Sequence, residues 1–151
     1  PTFSYYCAQE VRRITPFAPA LPARVRNSFT WRDQYFSKGM QVVLAVYGTN
    51  HDPRLWEEPE KFNPDRFRDW QDTQYNFIPQ GPGDANVHHR CPGEGIATEV
   101  LKVALEHLAC KWEYDVPARQ DFDIDWTAFP ALPKHHMIIQ NIRLVEDKKA
   151  D

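Results

Sequence analysis

The sequence predicts a mixed α+β chain: a few helices, small antiparallel sheets and a long coil. Three observations predict it. One stretch, roughly residues 92 to 110, repeats apolar residues every four positions (Ile96, Val100, Ala104, Leu108), the period of a helix face. Several short runs rich in β-branched and aromatic residues read as strands. Thirteen prolines break up the rest of the 151 residues.

Each element follows in order. "SYYCAQEVRRI" has few breakers and reads as a helix that ends before Pro16, because the residue before proline disfavours the helical region. "PFAPALPAR" is extended. "VRNSFTW" and "QVVLAVY" read as strands, the second apolar on both faces and so expected to be buried on both sides. "GTNHDPRLWEEPEKFNPDRFRDW" carries three prolines and no sustained period. It reads as a coil packed on its own aromatics, with at most short helical turns. "NFIPQGPGDANVHHR" is a loop, the helix of residues 92 to 110 follows, and "KWEYDV" and "HHMIIQNIRL" read as strands before a charged tail, "VEDKKAD".

Bulk properties exclude several functions. A net charge of -3 and a pI near 6.1 give no basic surface for nucleic acid. The longest apolar run, "VVLAVY", is too short to span a bilayer. Three separated cysteines, Cys7, Cys91 and Cys110, do not make a disulfide framework, so a reducing, cytoplasmic setting is expected. Cys7 and Cys110 read as small buried hydrophobes. Mean hydropathy is -0.65, yet 13% of residues are aromatic. Much of that apolar surface is expected to need a partner layer. The chain also opens inside a helical pattern, which suggests a piece of a larger domain.

Cys91 is the residue with chemical promise. It ends a Gly-rich loop, with His88, His89 and Arg90 before it and Pro92 and Gly93 after it. Proline suits the first helical position, so the sulfur is expected beside the free N–H groups and positive end of the helix. Those groups and Arg90 favour negative charge on sulfur. Gly93 and Gly95 leave room for close approach. The residues leave four readings open: a structural cysteine at a helix cap, a zinc site with His88, His89 and Cys91, a cysteine nucleophile with a histidine base, and a metal or redox thiolate. Glu10 and Arg13 share a helix face at i,i+3. Trp56, Pro59, Phe62, Pro64 and Phe67 form a scaffold around Arg66, which could complete a Glu-Arg-Arg cluster.

Glu-x-x-Arg (10–13), then Pro-x-x-Phe-x-Pro-x-Arg-Phe (59–67), then a Phe-headed loop ending in Cys-x-Gly (77–93) resemble, in this order, the C-terminal part of the cytochrome P450 (haem-thiolate) superfamily. The resemblance implies that residues 1–151 are the proximal, sheet-bearing part of one mainly helical haem domain. It implies haem b, with Cys91 as the axial iron ligand. It also implies Phe77, Gln80, His89, Arg90, Gly93 and Ala97 as cofactor-side residues. Glu10, Arg13 and Arg66 would be the structural triad. Thirteen residues, 78 to 90, separate Phe77 from Cys91, so the loop is lengthened, and His89 stands where the family has a propionate-binding arginine. Arg90 is the alternative for that contact.

The long loop, "YGTNHDPRLW" and "PALP" resemble the fatty-acid peroxygenase branch. The resemblance therefore implies hydroxylation or decarboxylation of fatty acids with hydrogen peroxide, with Phe17 and Ala20 on the acyl channel. The helix that carries that branch's substrate-binding arginine would lie upstream, so the chain holds no catalytic residue and is expected to be inactive alone. A reductase-dependent monooxygenase and a truncated, non-catalytic haem-binding remnant are the alternatives.

Overall fold

The computed structural model describes residues 1–88 and 90–145. His89 and the charged tail from residue 146 lie outside them. The expected mixture of helices, small antiparallel sheets and long coil is what the structure contains.

Helix α1 (Phe3–Ile14) starts at Thr2, whose side chain accepts a hydrogen bond from the Tyr5 N–H, a cap that satisfies one of the free donors. It ends two residues before Pro16. Two strand pairs follow, one nested in the other. Strands β1 (Leu21–Arg24) and β4 (Gln41–Leu44) pair antiparallel, Leu21 opposite Leu44. Between them, β2 (Phe29–Trp31) and β3 (Gln34–Phe36) form a hairpin. Its two turn residues, Arg32 and Asp33, both have positive φ, 45° and 64°, as a twisted two-residue turn requires.

The run "QVVLAVY" differs from its expected form. The strand stops at Leu44, and Val46–Asn50 turn into a short helix, α2. Strand β4 alternates exposed and half-buried residues rather than being buried on both sides. Among the described residues it pairs only with β1. In "VRNSFTW" only the last three residues form strand β2, while Val25 bonds to Met40 and Gly39 at the end of the β1–β4 pair.

The coil from residue 51 to 93 folds on aromatics. Trp56, Phe67 and Phe77 are buried with Tyr6 of α1, and Tyr5 and Trp70 pack against them. Trp56 and Trp70 stack with ring centres 4.3 Å apart. A single tight turn, Pro64–Phe67, opens with Asn63, which accepts from the Asp65 N–H. Helix α3 (Glu94–Glu106) then packs against α1. It runs into one wider turn, His107–Lys111. It therefore starts later than residue 92: Gly93 is the cap, and Pro92 lies outside the helix. Outward-facing Ile96, Val100 and Val103 are 73%, 61% and 53% exposed, so the periodic apolar stripe does not enter this core.

A second nested set closes the described chain. Strand β5 (Trp112–Asp115) pairs with β8 (Gln140–Leu144), so "HHMIIQNIRL" is extended only in its second half. Inside it, β6 (Ile124–Asp125) pairs with β7 (Leu132–Pro133). Cys7 is half-buried and Cys110 exposed. The expectation of a buried Cys110 fails because the wide turn points it out of the packed face.

Candidate functional site

Two polar clusters on α1 organise the molecule, and they face different partners. The first holds Glu10 and Arg13, both fully buried. Arg13 Nε donates to Glu10 Oε2 at 2.7 Å and Nη2 to Oε1 at 2.9 Å. Arg66 Nε donates to Glu10 Oε1 at 3.2 Å, and the Asn63 N–H donates to the same oxygen at 2.9 Å. The arginines then reach backbone carbonyls of the coil: Arg13 to Asn50 and Pro59, Arg66 to Glu57 and Lys61. A buried carboxylate with this many donors is compensated. The cluster thereby pins the 57–66 coil to α1.

The second cluster surrounds the cysteine. Arg12 is 4% exposed and donates to Gln9, Gln80 and Glu94. Its guanidinium also lies 5.2 Å from the Phe77 ring centre. Arg90 donates to both Glu94 oxygens, at 2.6 and 2.9 Å. Its third nitrogen reaches Asp72 and the Gly83 carbonyl, each at 3.3 Å. Burial pushes the Arg12 guanidinium below its ordinary value, opposed by Glu94. Burial also works against ionised Glu94, but hydrogen bonds from Arg90 and Arg12 outweigh it and hold the carboxyl below the usual range. Glu94 in turn raises Arg90.

Cys91 itself is free and exposed. Its N–H donates to the Gln80 carbonyl at 3.0 Å, and its carbonyl accepts from the Glu94 N–H at 3.3 Å. A side chain on Gly93 would begin 3.6 Å from the sulfur, so glycine keeps that flank open. Ala97, half-buried one turn on, makes the first helical bond to the Gly93 carbonyl at 2.9 Å. Phe77 is 2% exposed and anchors the head of the loop.

Within the loop, Gly83 has φ +86°, and a Cβ there would meet the His88 ring at 2.8 Å. His88 Nδ1 accepts from the Asp84 N–H at 2.9 Å, so its other nitrogen carries the proton in the neutral ring. Leu21, Tyr75, Pro82, Val87 and His88 line a cleft of about 520 Å³. This cleft brings the segment after α1 beside the cysteine loop. Of the two channel residues in that segment, Ala20 is exposed and Phe17 is 57% exposed, edge-on to Phe129 at 5.2 Å.

The donor set tests what Cys91 could hold. No group of three or more His, Cys, Asp or Glu side chains converges for a metal ion among the described residues. A zinc ion would need such a group. An iron carried in a macrocycle brings its other ligands with it, and a lone, exposed thiol flanked by glycine fits that. Sequence reasoning named most of these residues but passed over Arg12, Asp72 and Glu94. Arg12 lies inside the Glu-x-x-Arg motif, and Glu94 follows Cys91 by three. Neither position carries a signal of the partner it meets.

The cytochrome P450 family profile matches residues 6–139. Cytochrome P450 4A10 of Mus musculus is 32% identical over 113 residues, covering 74% of this chain and 21% of that protein. A cytochrome P450 monooxygenase, patI, of Aspergillus clavatus is 31% identical over 124 residues, covering 77% of this chain and 23% of its own length. Among solved structures, cytochrome P450SP alpha (CYP152B1) is 46% identical with a TM-score of 0.87, covering 95% of this chain and 35% of that one. Cytochrome P450EX alpha (CYP152N1), solved with myristic acid, is 39% identical with a TM-score of 0.86, covering 94% and 34%.

The chain therefore belongs to the cytochrome P450 family, whose members bind iron haem through a cysteine thiolate. The two solved relatives named above are of the CYP152 group, in agreement with the peroxygenase-like signature of its loop. It spans about a quarter of the curated relatives it matches and about a third of the solved ones.

Proposed function

We propose that residues 1–151 are the C-terminal, haem-ligating part of a longer enzyme that oxidises fatty acids with hydrogen peroxide, and that Cys91 would hold the haem iron through its sulfur. The observation that carries this reading is Cys91 itself: an exposed thiol in a glycine-flanked loop with both backbone polar groups tied down, with no other converging metal ligands among the described residues. Relatives solved with myristic acid and with arachidonic acid (cytochrome P450 OleT, 38% identical, TM-score 0.85, covering 97% of this chain and 34% of that one) support a fatty acyl substrate.

The bound haem would supply oxidising iron chemistry, with the thiolate pushing electron density toward it. The chain's residues prepare for it. Gly93 keeps the sulfur accessible, Ala97 leaves room on the first turn of α3, and Phe77 fixes the loop to the aromatic core. Glu10, Arg13 and Arg66 hold the coil and play a folding role rather than a chemical one. Gln80 holds the Cys91 N–H. Phe17, exposed, and Ala20, small, border the acyl channel. His89, assigned to a propionate, lies outside the described residues. No helix among the described residues is long and apolar enough to cross a membrane.

A reductase-dependent monooxygenase is the second reading, favoured by the monooxygenase relative patI. Two experiments test these readings. The full-length protein should show a red-shifted, thiolate-type Soret band when reduced under carbon monoxide, and Cys91→Ser should lose it. Purified holoprotein should convert a long-chain fatty acid with hydrogen peroxide alone. Turnover only with NADPH and a reductase would reject the peroxide reading and leave the haem reading standing. The isolated chain should turn over no fatty acid, since one haem face would meet water.

A further inference from the structure

The charged groups around Cys91 form one connected unit that runs from α1 to the cysteine. We infer that Arg12, Arg90, Glu94 and Asp72 act as a clamp that sets the position of the Cys91 sulfur, with Arg12 and Glu94 as the positioning residues. This rests on the reading of Cys91 as the iron ligand.

Cys91 has two backbone polar groups, and both end on residues that Arg12 grips. The Cys91 N–H donates to the Gln80 carbonyl, while the Gln80 side chain accepts from Arg12 Nε at 3.1 Å. The Cys91 carbonyl accepts from the Glu94 N–H, while the Glu94 carboxylate accepts from Arg12. Glu94 also holds Arg90, the residue just before the cysteine, through two hydrogen bonds. Asp72 and the Gly83 carbonyl take the remaining Arg90 nitrogen. The cysteine is thus held at its own two bonds and through the side chain on its N-terminal flank.

Arg12 is 4% exposed and cannot exchange these partners for water without opening the α1–α3 contact. All three Arg90 nitrogens serve protein acceptors, so Arg90 holds the loop. Charge-assisted bonds of this kind are short and directional. Partners one shell beyond a metal ligand are worth about 10- to 100-fold in metal affinity or activity.

The test uses the haem-loaded full-length protein and carbon monoxide as the probe. The readout is the ratio of non-thiolate to thiolate-type Soret absorbance per bound haem, recorded beside a melting curve. Arg12→Met and Glu94→Gln should each raise that ratio about tenfold, and the double variant little further, because the two act as one unit. Lys102→Ala, which breaks an outward-facing pair on the same helix, should leave it unchanged. Lowered melting temperatures with a wild-type band would make the cluster merely structural and overturn the proposal, with the Cys91 assignment intact. Should Arg12→Met or Glu94→Gln fail to fold, Asp72→Asn at the open end of the clamp decides: a shift in the same direction supports it, and a wild-type band overturns it. A band that survives Cys91→Ser removes the ligand reading, and the clamp with it.

Discussion

Replacing Glu10 by glutamine keeps the side chain's shape and removes its charge. In the structure that carboxylate is fully buried and takes four hydrogen bonds: two from Arg13, one from Arg66 and one from the Asn63 N–H. Glu10→Gln leaves Arg13, also fully buried, without an anion, and removes the same charge from Arg66. Removing one partner of a buried pair costs about 3–5 kcal/mol, because the other charge stays desolvated and unpaired. Whole-domain stability is about 5–15 kcal/mol, so the substitution should remove about a fifth of it or more. Urea unfolding followed by tryptophan fluorescence reads this directly. Trp56 sits in the core with the Arg13 guanidinium 5.3 Å from its ring. The internal control is Glu58→Gln, whose pair with Lys61 is exposed on both sides and which should leave the midpoint unchanged. A loss below about 1 kcal/mol for Glu10→Gln, the value of a surface pair, would refute the reasoning that the triad is a desolvated unit.

Three further outcomes are expected. Phe77→Ala should cost about 3–5 kcal/mol in denaturant unfolding, since the ring is 2% exposed and packs against Phe67 at 5.2 Å and Trp56 at 6.0 Å. Gly83→Ala should destabilise by more than about 1 kcal/mol and speed proteolysis of the cysteine loop, because φ is +86° and the His88 ring occupies the Cβ position. An unchanged cleavage rate would count against that geometry. His51 is 7% exposed, and burial pushes its imidazole below the ordinary value of 6.5, opposed by its bond to the Tyr47 carbonyl. Below pH 6.5 the unfolded chain takes up a proton that the folded chain refuses, so stability falls as pH drops through that value. Melting temperatures recorded against pH should slope less steeply in His51→Gln than in the wild type.

What the sequence determined by itself is the local part. Pro16 ends α1, the prolines and glycines keep residues 51 to 93 out of regular structure, and the four-residue period marks α3. These signals act within a turn or two, where backbone sterics and side-chain spacing decide. The ordered motifs pointed to the family and to Cys91, because each motif is short and self-contained.

Tertiary structure decided the rest. "QVVLAVY" has an apolar pattern that suits a covered strand, but among the described residues only β1 pairs with it, and the chain turns into α2 once that pairing ends. Helix α3 starts at Glu94 rather than Pro92 because Glu94 is drawn in by Arg12 and Arg90, and its N–H by the Cys91 carbonyl. Arg12, Arg13 and Arg66 are equivalent in any charge count. Arg13 and Arg66 close on Glu10, while Arg12 reaches the cysteine loop 68 and 82 positions away. A charged side chain has no period that reveals its partner. Which carboxylate or carbonyl it meets depends on where the coil between them closes, and that is set by the burial of Trp56, Phe67 and Phe77.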